Sequence, residues 1–327
     1  MSEESHSTIS QVISGYLDSV YLARSESTYK TYKNAMHKFQ EVLTARGVDP
    51  DKTPITALTE DTIAWLAAEL KSYSPATEQC YLTAGTGLFE YLAGEEIIDI
   101  NLPRVRLLIK QRSRRPGIRL PQFPRDQIEA VLDYASQLSQ VAVKDERERL
   151  IQYRDRAFLL TLADTGLRVH EACGLRRGDI DWHEGRAIVI GKGNREAVVR
   201  FSGRSLRALK DYLSLRGQSD GAGGKALGSL AVFARHDKGV GSRIEAISTT
   251  TGRQIVKDRV MEAVGEEAVG TITPHSFRHY FVTTVLQASG NLKLAQELAR
   301  HKNIAVTQRY SHLSDDEMDK EYLDIFG

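Results

Sequence analysis

The chain has 327 residues, 41% of them hydrophobic, with a mean hydropathy of −0.35, which predicts a globular protein with two hydrophobic cores. It contains no run of about eighteen apolar residues and no basic-then-apolar start, so neither membrane insertion nor export is supported and a cytoplasmic location is predicted. The net charge of +1 combines an acidic first part with a basic remainder: residues 1–103 hold 7 Lys and Arg against 15 Asp and Glu, and residues 104–327 hold 37 against 28.

Residues 1–103 predict a small, all-helical domain. Apolar spacing, N-cap residues and stop residues predict helices over about 9–17, from 27 or 28 to 47, from 60, and from 75 to 94. Four basic residues near its start are candidates for phosphate contacts: Arg24, Lys30, Lys33 and Lys38. A solvated helix face explains them equally well, and the acidic balance of the domain argues against a broad nucleic-acid-binding surface.

A basic segment follows. From residue 104 to residue 125 the chain has eight basic residues, no acidic residue and three prolines, with a fourth at position 103. Because prolines and charge repulsion disfavour regular structure, residues 104–124 are predicted to form an extended linker between two domains. The linker is either a solvated spacer or a strap across a phosphate backbone, and the absence of opposing charges favours the strap. Its candidate contacts are Arg104, Arg106, Lys110, Arg112, Arg114, Arg115 and Arg119.

Residues 125–327 predict a second domain that is mostly helical and contains a small β-hairpin. Helices are predicted over 126–135, 149–165, from 203, over 249–264 and from 274. A strand–turn–strand pattern over 187–201 places Lys192 at a hairpin tip, with Arg195 beside it as a further phosphate contact. The two cysteines, Cys80 and Cys173, lie far apart in predicted helices, and both are predicted to be small core residues of a reduced protein.

A spaced set of residues in this half has the chemistry needed to attack a phosphodiester. The set is Arg168, Lys192, His275, Arg278, His301 and Tyr310. Arginines hold phosphate oxygens through charge-assisted hydrogen bonds, and each well-placed donor contributes about 3 kcal/mol in the transition state. His275 and Arg278 are three residues apart at a predicted helix start, where free N–H groups also favour an anion. No acidic cluster of comparable definition accompanies the set, so neither a metal nor another cofactor is predicted.

Four segments contain these residues: 165–171 (TGLRVHE), 191–196 (GKGNRE), 273–279 (TPHSFRH) and 301–313 (HKNIAVTQRYSHL). Together, in this order and with nine residues from His301 to Tyr310, they resemble the signature of the tyrosine recombinases, the phage-integrase and Xer family. The resemblance covers nearly the whole chain. It implies a helical core-binding domain (1–103), a linker (104–124) and a mixed α/β, mostly helical catalytic domain (125–327) with a C-terminal tail helix. In the family, the two domains form a C-shaped clamp on DNA.

The resemblance also implies residue roles. Two arginines, at 168 and 278, match the family's phosphate clamp; two imidazoles, at 275 and 301, match its supporting donors; and Lys192 matches the lysine that protonates the departing 5′-oxygen. Tyr310 corresponds to the nucleophile. Glu171 corresponds to a residue that orients catalytic groups, although an i,i+3 salt bridge with Arg168 explains it equally well.

One position departs from the family pattern. Arg300 stands directly before His301, where the family usually has glycine. The added bulk and charge are expected either to change the packing beside the site or to give another phosphate contact.

The function implied is site-specific recombination, in which duplex DNA is cleaved and rejoined through a 3′-phosphotyrosyl intermediate and a Holliday junction, without metal or ATP. The implied partners are double-stranded DNA with a specific recombination site and further copies of the chain, a tetramer on synapsed DNA; a partner recombinase or a DNA-bending factor is also open. Two alternatives are a type IB topoisomerase, which reseals the same strand, and a non-catalytic DNA-binding protein derived from a recombinase. Integration, excision and dimer resolution are not distinguished.

Overall fold

The computed structural model describes residues 7–114, 124–143, 145–191, 195–217, 220, 224–237, 239, 244–301 and 307, except for the side chain of Arg195. The chain divides into two compact units, residues 1–118 and residues 119–327. The described residues are mainly helical with one small sheet, as predicted. None of the described helices is both long enough and apolar enough to span a membrane.

Helices packed around one core build the first unit. They are α1 (Ile9–Ala23), α2 (Glu26–Ala45), α3 (Asp61–Glu69), α4 (Pro75–Gly94) and α5 (Leu102–Arg112). Their apolar faces meet in a core where Met36, Phe39 and Phe89 are fully buried. The helix predicted to begin at 27 or 28 begins at Glu26 instead, because the Ser25 hydroxyl accepts a hydrogen bond from the Thr28 amide at 3.3 Å and caps the first turn.

The predicted extended linker is wrong over its first part, which is helix α5. Pro103 lies in the first turn of this helix, where a missing N–H costs nothing, and the remaining prolines follow its end. Val105 anchors α5 in the core of the first unit. Charge repulsion is relieved by acidic side chains elsewhere in the unit: Arg104 contacts Asp61 at 2.8 Å, and Arg106 contacts Glu90 at 2.8 Å.

The second unit has a larger helical core and the sheet. Its helices are α6 (Arg125–Gln137), α7 (Glu146–Thr165), α8 (Val169–Gly174), α9 (Gly203–Leu215), α10 (Thr249–Val264), α11 (Pro274–Ser289) and α12 (Leu292–Ala299), and its strands are β1 (Ile180–Asp181), β2 (Arg186–Gly191) and β3 (Arg195–Arg200). Short 3₁₀ turns occur at Ile55–Ala57, Leu70–Ser72, Leu138–Gln140, Arg177–Asp179, Leu227–Ser229 and Glu266–Ala268. Helix α7 begins one turn earlier than predicted, because Asp145 caps it by accepting a hydrogen bond from the Arg147 amide.

The sheet is antiparallel, in the order β1-β2-β3. The predicted hairpin is confirmed as β2 and β3, with Ile188 opposite Val198, whereas the two-residue strand β1 was not predicted. Side chains alternate across the pleat: Ala187 and Val189 enter the core, while Ile188 faces solvent. Lys192, at the predicted tip, lies outside the described residues.

One close helix contact fixes the start of α10 against α8. A Cβ built on Gly252 would lie 2.8 Å from Cys173 Sγ, 3.0 Å from Phe158 Cζ and 3.0 Å from Val169 Cγ2. Only a residue without a side chain lets the helices approach this closely. Cys173 is thus buried as predicted, but the same prediction is wrong for Cys80, which is exposed on α4.

We expect Gly252→Ala to lower the free energy of unfolding of the second unit by about 1–3 kcal/mol, since the added methyl overpacks this contact. The chain has two tryptophans, so fluorescence of Trp182 in a Trp65→Phe background reports urea unfolding of this unit. Gly174→Ala is the matched control, because its added methyl meets no atom within 4 Å. Equal unfolding midpoints for the two variants would contradict the packing argument.

Candidate active site

A tight turn between α7 and α8 positions the first predicted arginine. Gly166 ends α7 in the left-handed region (φ 59°), and its missing side chain leaves room for the ring of Phe281. Two residues later, Arg168 is the N-cap of α8, and its side chain reaches a cavity in the second unit. The local sequence therefore places a partly exposed guanidinium at the mouth of this cavity.

Glu171 holds that guanidinium. Its carboxylate accepts hydrogen bonds from the Arg168 amide at 2.8 Å and from Arg168 NH1 at 3.0 Å, and its side chain is fully buried. Burial alone would raise the pKa of Glu171, but the nearby charges of Arg300 and Arg168 and the backbone hydrogen bond outweigh it and keep the pKa below its usual value. The i,i+3 salt bridge considered from sequence is therefore present, and it leaves Glu171 ionised at neutral pH.

Arg278 is the second predicted arginine, and it is almost completely buried. Helix α11 begins with Thr273 as N-cap in a capping box with Ser276, which fixes the direction of its first turn. From this turn Arg278 donates through NH1 to the carbonyl of Gly166 and through NH2 to the carbonyl of Ala299. The side chain thus joins the α7–α8 turn to the end of α12.

His275 and Arg278 line the same cavity as Arg168, which confirms the prediction that they share one helix face. The cavity has a volume of about 630 Å³ and is open to solvent. His275 is exposed at its mouth, and its ring packs edge-on against His279, with 4.2 Å between the ring centroids.

His301 follows α12 and is held by a buried hydroxyl. Its Nδ1 lies 2.9 Å from Thr307 Oγ1, and Thr307 is fully buried. When the Thr307 hydroxyl donates to Nδ1, the Nε2 atom carries the proton and can donate to an anion. Thr307 lies in the quoted motif, but no role was predicted for it; its partner six residues away became evident only from the folded chain.

Burial and positive charge keep the imidazoles neutral. Partial burial, followed by the charges of Arg278 and Arg168, lowers the pKa of His301 to about 4 and lowers the pKa of His275. Burial, followed by His275 and Arg278, lowers the pKa of His279 to about 4. At neutral pH these rings are therefore neutral hydrogen-bond donors.

The depressed histidine pKa values predict a pH dependence of stability. The unfolded chain takes up protons near pH 6.5 and the folded chain near pH 4, so the free energy of unfolding should be constant above pH 6.5 and fall as the pH drops towards 4. Urea unfolding at pH 7.5, 6 and 5 measures the trend. In NMR spectra of the folded protein, the His301 ring should not titrate between pH 8 and 5.5; a midpoint near 6.5, as in the urea-unfolded chain, would contradict the burial argument.

Two basic residues of the cavity wall were not predicted. Arg253 and Lys257 lie one turn apart on α10 and are exposed to the cavity. Their i,i+4 spacing on a predicted helix was a signal available in the sequence. Their position beside Arg168 could not be seen there, because it depends on the close packing of Gly252 against α8.

Arg300 is a further arginine at the site. Its NH2 donates to Glu171 Oε2 at 2.9 Å, and its side chain is 11% exposed. Its backbone is in the left-handed region (φ 57°, ψ 41°), which costs a residue other than glycine about 1 kcal/mol. Arg300 therefore packs beside the site and pairs with Glu171.

Several predicted site residues lie outside the described part of the chain. These are Lys192 and Tyr310 among the catalytic set, and Arg115 and Arg119 among the DNA contacts; the side chain of Arg195 is outside it as well. Their roles remain predictions from the sequence.

The remaining predicted DNA contacts include side chains that form ion pairs, although Lys30, Arg104 and Arg106 are exposed as well. Arg24, Lys33, Lys110 and Arg112 are exposed. Lys30 pairs with Glu26, Lys38 with Glu41 and Glu69, and Arg104 and Arg106 pair as described above. Arg114 donates to the buried carboxylate of Glu78 and to the carbonyls of Leu70 and Tyr73.

The ion-paired side chains are therefore engaged within the first unit. Arg114 is the clearest case, since its amide and guanidinium both serve the fully buried Glu78. Residues 104–125 contain no acidic residue, but in the folded unit acidic side chains from other segments contact their arginines.

Guanidinium groups and the neutral imidazole of His275, which converge on an open cavity, are suited to bind a phosphoryl group and to stabilise the charge that develops on its oxygens during displacement. His301 is not among the residues that line this cavity. The only carboxylate in contact with Arg168 among the described residues is the one that orients it. The fold and the site together define a phosphoryl-transfer enzyme.

Comparison with known proteins identifies the family. Residues 123–317 match the model of the phage integrase family. The chain is 31% identical to tyrosine recombinase XerC of Pelobacter propionicus over 270 residues, which cover 79% of this chain and 83% of that protein. It is 29% identical to tyrosine recombinase XerC of Thermodesulfovibrio yellowstonii over 306 residues, 92% of this chain and 91% of that protein. The chain therefore belongs to the phage integrase family of tyrosine recombinases, enzymes that cleave DNA and transfer its strands.

Solved structures show the same fold. The XerH site-specific recombinase bound to a palindromic difH substrate superposes with a TM-score of 0.67 at 19% identity, over 96% of this chain and 84% of that one. The Tn1549 transposon integrase in complex with transposon right end DNA superposes with a TM-score of 0.64 at 19% identity, over 98% of this chain and 100% of that one.

Proposed function

We propose that the protein is a site-specific recombinase that cleaves and rejoins duplex DNA through a covalent bond to Tyr310. The observation that supports this most strongly is the convergence of Arg168, His275 and Arg278 on one cavity in a chain of the phage integrase family. The similar XerH and Tn1549 proteins were solved in complex with DNA, which supports duplex DNA as the substrate here.

The cavity binds the phosphate that is cleaved. Arg168, oriented by Glu171, donates to one non-bridging oxygen, and Arg278, which lines the same cavity, is the second arginine donor. His275 and His301 add neutral N–H donors. These donors strengthen as negative charge develops on the oxygens, which is the interaction that lowers the barrier.

Tyr310 is the nucleophile. Its phenolic proton passes to a neutral imidazole of the site, and the phenolic oxygen bonds to phosphorus while the bond from phosphorus to the 5′-oxygen breaks, leaving a 3′-phosphotyrosyl linkage. The departing 5′-oxygen takes a proton from Lys192. The 5′-hydroxyl of a partner duplex then attacks the linkage and releases Tyr310, and a second round resolves the Holliday junction. Each step exchanges one phosphodiester for another, so the reaction needs neither ATP nor another source of energy.

The assembly is part of the same proposal. Recombination joins two duplexes, so several copies of the chain, a tetramer, act on synapsed DNA. The two domains of each copy correspond to the two compact units, residues 1–118 and 119–327. The exposed residues Arg24, Lys33, Lys110 and Arg112 provide phosphate contacts. Arg253 and Lys257 extend the cleaved-phosphate site towards the neighbouring backbone. Because the substrate is cellular DNA, the reaction takes place in the cytoplasm.

The test is capture of the covalent intermediate. A pool of duplex oligonucleotides with a randomised core and one nick is incubated with the protein in EDTA. Cleavage near the nick releases a short strand that diffuses away, so the cleaved DNA cannot be rejoined and the covalent complex accumulates. We expect a covalent complex whose DNA shares a sequence motif and whose peptide contains Tyr310. Trapped DNA without a motif, together with relaxation of a supercoiled plasmid, would indicate a topoisomerase. No covalent complex with any DNA would indicate a non-catalytic binding protein.

A further inference from the structure

The side chain of Arg300 completes a three-residue cluster around one buried carboxylate. Glu171 Oε1 accepts from Arg168 NH1 at 3.0 Å, and Glu171 Oε2 accepts from the Arg168 amide at 2.8 Å and from Arg300 NH2 at 2.9 Å. The Glu171 side chain is fully buried, and Arg168 is partly exposed at the cavity. Glu171 therefore links an inner arginine, Arg300, to an outer one, Arg168.

Arg300 is also adjacent to the second clamp arginine. Its NH2 lies 3.5 Å from the carbonyl of Gly166, which also accepts from Arg278 NH1. The neighbouring carbonyl of Ala299 accepts from Arg278 NH2, and the next residue is His301. Three consecutive residues at the end of α12 thus take part in the site: Ala299 contacts Arg278, Arg300 contacts Glu171, and His301 is itself a predicted site residue.

Stability alone does not explain an arginine here. Its backbone is in the left-handed region, which favours glycine, and the Nε and NH1 atoms of its buried guanidinium have no hydrogen-bond partner within the described chain. Strain and unsatisfied donors of this kind persist where a site requires them. Because both atoms are buried, they do not point into open solvent where a phosphate would bind.

We propose that Arg300 is a positioning residue that fixes the Glu171 carboxylate, and through it the guanidinium of Arg168, in the orientation that receives the cleaved phosphate. A single i,i+3 pair leaves a partly exposed arginine several rotamers. A second, buried arginine on the same carboxylate removes the freedom of the carboxylate itself. The remaining donors of Arg168, Nε and NH2, are then aimed at the cavity before DNA binds.

The inference rests on the proposed function, since it concerns the rate of DNA cleavage. The variants are Arg300→Gly, which relieves the backbone and removes the contact, Arg300→Lys, which keeps one charged donor, Glu171→Gln, and the double variant Arg300→Gly/Glu171→Gln. Cleavage of a nicked duplex is measured in single turnover at saturating DNA, and the dissociation constant for intact duplex is measured separately.

We expect Arg300→Gly to slow cleavage about 10- to 100-fold, the effect of a misplaced catalytic group, with the DNA dissociation constant changed less than about 3-fold. Arg300→Lys should recover most of the rate. The double variant should cleave no more slowly than Glu171→Gln alone, because Arg300 acts through Glu171. Parent-like cleavage by Arg300→Gly, multiplicative effects in the double variant, or weakened DNA binding at an unchanged saturating rate would each overturn the proposal.

A buried arginine elsewhere in the same unit provides the control. Arg259 on α10 holds the buried carboxylate of Asp155 at 2.9 and 3.0 Å, so Arg259→Ala removes a comparable ion pair. It should lower stability and leave the cleavage rate of the folded protein unchanged; a slowing equal to that of Arg300→Gly would assign both effects to the fold.

A readout without DNA separates this inference from the proposed function. In ¹⁵N NMR relaxation measurements, the Nε–H group of Arg168 should be rigid in the parent and mobile in Arg300→Gly. Equal order in both proteins would overturn the positioning role. Failure of the proposed function would appear instead in the parent, as the absence of any covalent complex.

Discussion

Replacing Tyr310 by phenylalanine is expected to abolish covalent attachment to DNA, with cleavage reduced by at least about 10⁴-fold, because the variant has no oxygen to bond to phosphorus. Noncovalent DNA binding and the unfolding midpoint should stay close to the parent values. The measurement is denaturing gel electrophoresis of the protein after incubation with nicked, end-labelled duplex.

Other tyrosines are poor substitutes. A free phenol has a pKa near 10, so forming the phenolate at pH 7 costs about 4 kcal/mol before any help from neighbouring charges. Burial raises the pKa of Tyr16, Tyr134 and Tyr212 further, which makes ionisation of these residues harder. None of the three is among the residues that line the cavity.

Tyr322 supplies the matched control, because it is the tyrosine nearest to Tyr310 in the sequence, twelve residues later. Tyr322→Phe should form the covalent complex at the parent rate. If Tyr310→Phe remained attached to DNA and Tyr322→Phe did not, the nucleophile would be reassigned and the motif spacing from His301 would lose its meaning.

The parts of the fold that local chemistry determines were predictable from sequence. Ser74 followed by Pro75 gives an N-cap and a first helical residue, and α4 begins there. The glycine-rich turn after residue 190 predicts the hairpin of β2 and β3. In each case the deciding interactions lie within a few residues of one another.

Helix α5 was not predicted, because its stability comes from residues far away in the chain. Arg104 donates to Asp61, which lies 43 residues earlier in the chain. Arg114, just after the helix, donates to Glu78, which lies 36 residues earlier. A count of the charges within residues 104–125 indicates only repulsion, because the segment has no acidic residue. Partners that approach through folding are invisible to such a count.

The candidate site also has features that the sequence predicts and features that depend on residues far apart in the chain. Motif order identified Arg168, Glu171 and Arg278, and the structure brings them together. Motif order could not reveal that the Arg278 guanidinium joins two carbonyls 112 and 21 residues away, or that Arg300 contacts Glu171, which is 129 residues earlier. Those contacts decide how the side chains point, whereas the motif decides only which side chains are present.

Arg278→Lys is expected to slow cleavage at saturating DNA by about 10³-fold, because the planar guanidinium is held by two carbonyls while it faces the phosphate cavity. A lysine ammonium is a single point that cannot span the carbonyls of Gly166 and Ala299. The carbonyl left without a donor costs about 1–3 kcal/mol, so the variant should also be less stable. Single-turnover cleavage and urea unfolding measure the two effects separately.

The two effects can be separated because the second unit has another buried arginine whose guanidinium donates to two backbone carbonyls. Arg216 is fully buried and donates to the carbonyls of Val232 at 2.9 Å and Ala231 at 2.8 Å, and it is not among the residues that line the cavity. Arg216→Lys should lose at least as much stability, because it also disturbs the buried ion pair with Asp220, and should cleave, per folded molecule, within about 3-fold of the parent. If both variants lost cleavage equally, Arg278 would serve the fold and not the phosphate. A large loss in Arg278→Lys alone would assign the difference to the transition state, because the loss of a bridge between two buried carbonyls is common to both.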